Sequence, residues 1–148
     1  MSDLYKSLAA AAVELRDPPA LARNSHFGQP YADLKSVVQA LREPLARHGI
    51  SVVQSPEMLL EGERRVLRLV TRLSHSSGEF AEFSTAWPMP PSANIQQLGA
   101  AITYLRRYTL CSLFCVVGDP DDDAEIIVSP TREKGKQQHD PARSNPNR

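Results

Sequence analysis

The chain has 2 cysteines, 1 tryptophan and a formal net charge of zero in 148 residues, and these shortages exclude several kinds of protein. Cys111 and Cys115 stand four apart on one helical stretch, where side chains are too far apart for an unstrained disulfide. No CxxC pair or nearby histidine completes a zinc set, so both read as reduced core thiols suited to the cytoplasm. No apolar run approaches the roughly 18 residues of a membrane span, and no basic region followed by a hydrophobic segment marks the N-terminus for export. A phosphate-binding glycine loop, of either the P-loop or the dinucleotide type, is also missing, which argues against ATP-driven chemistry. The four histidines, His26, His48, His75 and His139, show no triad spacing with Ser74, Ser76 or Ser77, and His75 reads as a solvated residue at a hairpin tip.

The zero net charge conceals a division. Residues 1–117 carry +2, residues 118–125 carry −5 and residues 126–148 carry +3. A mildly basic body and a basic tail are therefore joined by an acidic elbow, and overall neutrality is no argument against nucleic acid. The length suits one domain with one core, taken here as residues 1–128, followed by a polar, proline-containing stretch, 129–148, that reads as a disordered tail.

The longest helical pattern runs over residues 94–117. Ile95, Leu98, Ala101, Ile102, Leu105, Thr109, Leu113 and Val116 form a stripe that requires a core. At about 100° per residue, Gln96, Thr103 and Arg107 fall on the other side, with Arg106 at the edge of the stripe and the small Gly99 and Ala100 between them. A linear polyanion could approach such a face closely. Ser92 or Asn94 can cap the start after Pro90-Pro91, and Gly118 stands where a left-handed C-terminal cap is usual.

Two shorter helices precede it. Residues 3–15 place Leu4, Leu8, Ala11, Ala12 and Leu15 on one side, with Asp3 able to cap. Residues 33–47 do the same with Leu34, Val37, Val38, Leu41 and Leu45, and Pro44 predicts a kink or an early finish. Between them, residues 20–30 read as irregular. Gly49 turns the chain into a strand over residues 50–54.

Residues 65–75 and 79–87 form a hairpin whose register follows from its side chains. A three-residue loop with Gly78 left-handed sets Leu73 opposite Ala81, Thr71 opposite Phe83, Leu69 opposite Thr85 and Leu67 opposite Trp87 on one face. Arg72 then meets Glu82, and Arg68 meets Ala86, on the other face. A two-residue loop would put Leu73 against Glu82, and is rejected on that ground. The fold class is therefore α+β: an antiparallel sheet of about three or more strands, the long helix across one face and the two N-terminal helices beside it.

The sequence ITYLRRYTL, with an acidic DPDDD run soon after it and NSHFGQPYADL and LARHGI upstream, resembles the ERF (essential recombination function) family of phage single-strand annealing proteins. The resemblance covers about residues 7–123, and TYLRRY with its downstream aspartates is the most specific part; Asn24, Phe27 and Tyr31 stand for the family's upstream pattern. It implies binding and pairing of complementary single-stranded DNA without ATP, cofactor or bond-making chemistry, by subunits assembled into rings or helical filaments. On this view Phe83, Trp87 and the sheet edges are where subunits would meet; a host single-strand-binding protein is a candidate partner for the tail, which the sequence leaves open. The chain is shorter than expected for a member with a separate C-terminal domain. The candidate DNA-binding residues are Arg106, Arg107 and Tyr104 on the helix with Arg68 and Arg72 on the hairpin's polar face, arginines for phosphates and tyrosine for bases. The alternatives are an amphipathic helix in a protein-interaction module, and a metal-dependent nuclease using Asp119, Asp121, Asp122 and Asp123. The acidic run lacks the glycine and terminal glutamate of a calcium loop.

Overall fold

A computed structural model describes residues 2–23 and 30–118. The readings made for Asn24, His26, Phe27, the acidic run from Asp119, His139 and the tail 129–148 lie outside those residues. The elements are α1 (Asp3–Glu14), β1 (Ala22–Arg23), β2 (Pro30–Tyr31), α2 (Leu34–Arg47), β3 (Ile50–Glu61), β4 (Arg64–His75), β5 (Phe80–Met89) and α3 (Ile95–Phe114). The main sheet is antiparallel in the order β3-β4-β5, and the α+β reading holds. The stretch expected to be irregular instead contains a two-residue antiparallel ladder, Ala22 with Tyr31 and Arg23 with Pro30.

The β4–β5 register is the one argued from the side chains, including Leu73 with Ala81, Arg72 with Glu82 and Leu67 with Trp87. Gly78 has φ +91°, and the loop closes with the His75 amide donating to the Glu79 carbonyl at 2.8 Å. β3 runs seven residues beyond the expected Gln54. Pro56 is accommodated within it because β3 is an edge, where a residue without an N–H leaves no ladder bond unmade. Pro88 is accommodated in the same way at the other edge. Glu61 pairs with Arg64 around a tight turn in which Gly62 takes φ +64°.

α2 begins with Asp33, whose carboxylate accepts from the Ser36 amide at 2.8 Å. It continues through Pro44 to Arg47, so the early finish is corrected: Leu41 and Leu45, both 3% exposed, anchor the helix on either side of the proline. α1 is not capped by Asp3, which is its first helical residue. Its Leu4 amide donates instead to Glu79 from the β4–β5 turn, at 2.8 Å. Ala12 is exposed, and Leu4 and Ala11 carry the buried face. His75 is a junction rather than a solvated tip. Its Nδ1 accepts from the Ser77 amide at 3.1 Å, so a neutral ring carries its proton on Nε2 and donates to Ser7 of α1, 3.0 Å away.

α3 lies on one face of the sheet. Asn94 and Gln97 form a reciprocal capping box at its start, each bond 2.9 Å. The left-handed residue at its end is Cys115, with φ 52°, and not Gly118, whose carbonyl accepts from the Ala32 amide at 2.6 Å. Leu105 packs with Leu67, Leu69 and Met89, and with Leu98, Ala101 and Ile102 beside them. A second cluster joins Leu110, Phe114 and Val116 to Leu41, Leu45, Ile50, Leu73 and the buried face of α1. Ile95, assigned to the stripe, is 78% exposed because the stripe reaches the sheet only from Leu98 onward.

Candidate nucleic-acid interface

The side of α3 turned from the sheet is built from small and polar residues. Gln96, Gly99, Ala100, Thr103 and Tyr104 are all exposed. The Thr103 hydroxyl donates to the Gly99 carbonyl at 3.0 Å, and the space around Gly99 is open. A chain of phosphates can lie close to a helix that presents no bulk there, and Tyr104, 52% exposed, offers a ring beside it.

Arg106 and Arg107 are adjacent in sequence but diverge by about 100° around the helix. Arg107 goes to the junction with β2. Its guanidinium lies 4.5 Å from the centroid of Tyr108, 5.0 Å from that of Tyr31 and 5.8 Å from that of Tyr104, and its Nη1 donates to the Ala32 carbonyl at 3.1 Å. Tyr104 and Tyr108 are themselves 4.2 Å apart between centroids. The arginine is thus oriented by aromatic faces that attract its charge.

Arg106 turns toward β3. Its Nε donates to the Gln54 side-chain oxygen at 3.3 Å, and the Gln54 amide nitrogen donates in turn to the Arg106 carbonyl at 3.3 Å and to Thr71 at 3.2 Å. This arginine borders a cleft of about 360 Å³ between α2, β3 and α3. Val38, Leu41, Leu45, Ile50, Val52 and Leu110 supply its apolar wall, and Arg42 a second cation at its rim.

Arg68 and Arg72 are not brought to this side. Leu67, Leu69, Thr71 and Leu73 of β4 face α3, so strand alternation turns Arg68 and Arg72 to the opposite face. Arg68 there donates through Nε to Glu57 at 3.0 Å, and Arg72 through Nε to Glu82 at 2.9 Å, while the Arg72 guanidinium stacks 4.5 Å from the centroid of Phe80. The five residues named from sequence therefore form two groups: Tyr104, Arg106 and Arg107 on α3, and two carboxylate-paired arginines behind the sheet.

Sequence reasoning missed Arg42, Gln54 and Tyr108 as neighbours of this surface. Gln54 carried a signal, because it is a polar residue at an inward position opposite Thr71 once β3 is paired. Tyr31 stood in the family pattern but only the fold brings it to Arg107. Among the described residues no group of three or more histidine, cysteine, aspartate or glutamate side chains is placed to hold a metal ion, and no helix is long and apolar enough to cross a membrane.

A search of curated proteins finds no match. A family comparison does: residues 4–148 fit the ERF superfamily, which covers the helix with its TYLRRY core and the sheet beneath it, and the chain belongs to that superfamily.

Proposed function

We propose that the protein binds single-stranded DNA and anneals complementary strands in phage or prophage recombination, without ATP, in the cytoplasm of the host. Membership of the ERF superfamily supports a recombination role of the annealing type. The observation that carries the finer reading is the exposed small-residue face of α3 leading to Tyr104 and to Arg107 on its tyrosine rings. The mechanism is binding alone. Arg106 and Arg107 hold the backbone, Tyr104 stacks on a base, and the remaining bases stay open for pairing. Arg68 and Arg72 belong to the proposal as a second set of phosphate donors on the other face, available when a strand displaces Glu57 and Glu82.

One subunit offers a track of only a few nucleotides, so annealing calls for many. Both edges of the sheet are long, and exposed apolar side chains lie along them: Met58 and Leu60 on β3, Phe83 and Trp87 on β5. Head-to-tail contact between two different edges generates rings or filaments. In this reading residues 1–128 are the annealing domain, and residues 129–148 add non-specific positive charge and a contact for a host single-strand-binding protein.

The test is annealing of complementary oligonucleotides with chelator present and no nucleotide added. Annealing under those conditions supports the reading; strand cleavage dependent on added magnesium would instead favour a nuclease built on Asp119, Asp121, Asp122 and Asp123. Tyr104→Ala is expected to weaken oligonucleotide binding by about 1–3 kcal/mol per stacked base while leaving its salt dependence unchanged. Trp87→Glu is expected to reduce the assembly to smaller species in sedimentation.

A further inference from the structure

The cleft between α2, β3 and α3 sets two cations beside an aliphatic wall. The wall comes from Val38, Leu41, Leu45 and Leu110, and the guanidinium groups of Arg42 and Arg106 stand at its border. Arg47, Arg68 and Arg72 are each paired with a carboxylate, whereas neither Arg42 nor Arg106 has such a partner among the described residues. At about 360 Å³ the cleft falls at the lower end of the range of ligand pockets.

Arg106 is braced at that border. Its Nε donates to the Gln54 side-chain oxygen at 3.3 Å. Gln54 is fixed in turn, because its amide nitrogen donates to the hydroxyl of the fully buried Thr71 at 3.2 Å and to the Arg106 carbonyl at 3.3 Å. The amide is thereby set with its oxygen toward the guanidinium. The bond through Nε leaves the edge formed by Nη1 and Nη2 without a hydrogen-bond partner among the described residues. That edge matches the two oxygens of one carboxylate, in a charge-assisted pairing stronger than a neutral hydrogen bond. An arginine held in advance also loses less freedom when it binds.

An occupant that satisfies the whole cleft presents an apolar side chain and two negative charges within a short span. A fatty acid carries one charge, which leaves Arg42 unmatched. A single strand carries charge enough, but its backbone gives the aliphatic wall little to bury. The C-terminus of a polypeptide meets both demands: on its last residue an apolar side chain and a carboxylate share one Cα, and an acidic side chain earlier in the same peptide supplies the second charge. We infer that the cleft receives the C-terminal end of a partner protein, with its last apolar side chain against Leu41, Leu45 and Leu110, its terminal carboxylate on Arg106 and an acidic side chain on Arg42. Gln54 is the positioning residue for that contact. Arg106 also serves the strand in the reading above, so peptide and strand exclude one another there. That exclusion rests on the strand reading; the peptide site does not.

The experiment uses the full chain and a short fluorescent peptide that ends in Asp-Asp-Asp-Ile-Leu with a free carboxylate, followed by anisotropy. The peptide is expected to bind with a micromolar Kd, and the same peptide with a C-terminal amide at least about tenfold more weakly. Asparagine in place of its aspartates, or Ser-Ser in place of Ile-Leu, should weaken it as much. Arg42→Glu and Arg106→Ala should each lower affinity at least about tenfold. Arg42 is exposed, so Arg42→Glu should keep the wild-type melting temperature, which separates loss of the site from loss of the fold. Gln54→Leu keeps Arg106 but removes its brace, and should erase most of the preference for acid over amide, a readout that packing alone would not move. No binding of the free-carboxylate peptide up to about 1 mM, equal binding of acid and amide, or an affinity unchanged in Arg42→Glu would each overturn the inference. Oligonucleotide affinity lost in Arg42→Glu, with the peptide bound by neither protein, would also overturn it and assign the cleft to the strand. The strand reading has its own arm: if the peptide binds as expected but a single-stranded oligonucleotide does not displace it, the shared use of Arg106 fails and the peptide site stands.

Discussion

Replacing Arg107 by alanine should cost far more stability than replacing Arg106, although the two are neighbours on one helix. Arg107 loses stacking on the rings of Tyr108 and Tyr31 at 4.5 and 5.0 Å and a hydrogen bond to the Ala32 carbonyl at 3.1 Å. A cation over an aromatic face contributes about 0.5–1 kcal/mol when exposed and about 2 when desolvated, and a charged hydrogen bond about 1.5–3. Arg107 is half-buried, so a loss of about 2–3 kcal/mol is the reasonable sum. Arg106 gives up one side-chain bond to Gln54 at 3.3 Å, worth about 0.5–1 kcal/mol. For a domain of this size 1 kcal/mol moves Tm by about 4 °C, so Arg107→Ala should melt about 10 °C below the wild type and Arg106→Ala about 2–4 °C below it. Arg107→Lys keeps the charge but not the planar stacking and should fall between them. Thermal unfolding followed by circular dichroism measures all three. If Arg107→Ala melts within about 2 °C of the wild type, the tyrosine-held arginine is not a structural clamp, and the argument from its geometry fails.

Two further predictions concern the β4–β5 turn. Gly78→Val should lower Tm well below that of Ser77→Ala, because a branched side chain at φ +91° costs about 1–2 kcal/mol; equal melting temperatures would refute the left-handed bulge. Glu79 is held below the ordinary carboxylate range, first by the Leu4 amide it accepts, and Glu14 likewise, first by its bond to His48. Both folded values lie below the unfolded one, so their contribution is fully present above about pH 4.5 and is lost as pH falls through the depressed values. Acid titration should therefore release α1 ahead of the sheet, and Glu79→Gln should flatten the acid limb; a pH profile identical to wild type would contradict the cap.

Sheet and helices were legible where one physical constraint decided between few options. The β4–β5 register was readable because only one loop length puts Leu67, Leu69 and Leu73 on one face without burying Glu82. The second half of β3 was not, because Pro56 counts against a strand until it is known that the strand is an edge. The α1 cap was hidden for a different reason: Glu79 is 75 positions from the amide it serves, and local rules look within one turn. At the candidate site, the arginine pair and Tyr104 stood in the sequence, but their separation was not visible in it. Nothing local to RRY says that one arginine is taken by Tyr31 from β2 and the other by Gln54 from β3. Arg68 and Arg72 were placed on the hairpin's polar face correctly, yet which face α3 covers is a tertiary fact.

The central claim, that α3 presents a strand-binding track, is tested most directly by the salt dependence of oligonucleotide binding and by annealing in chelator without ATP. Both are measured on Arg106→Ala/Arg107→Ala at a temperature well below the melting transition of that variant. Each phosphate contact on a single strand contributes about 0.7 to the slope of log affinity against log salt, so two lost contacts per bound segment should lower the slope by about 1.4, and annealing should fall with it. A folded double variant that binds with the wild-type slope and anneals at the wild-type rate would contradict the account.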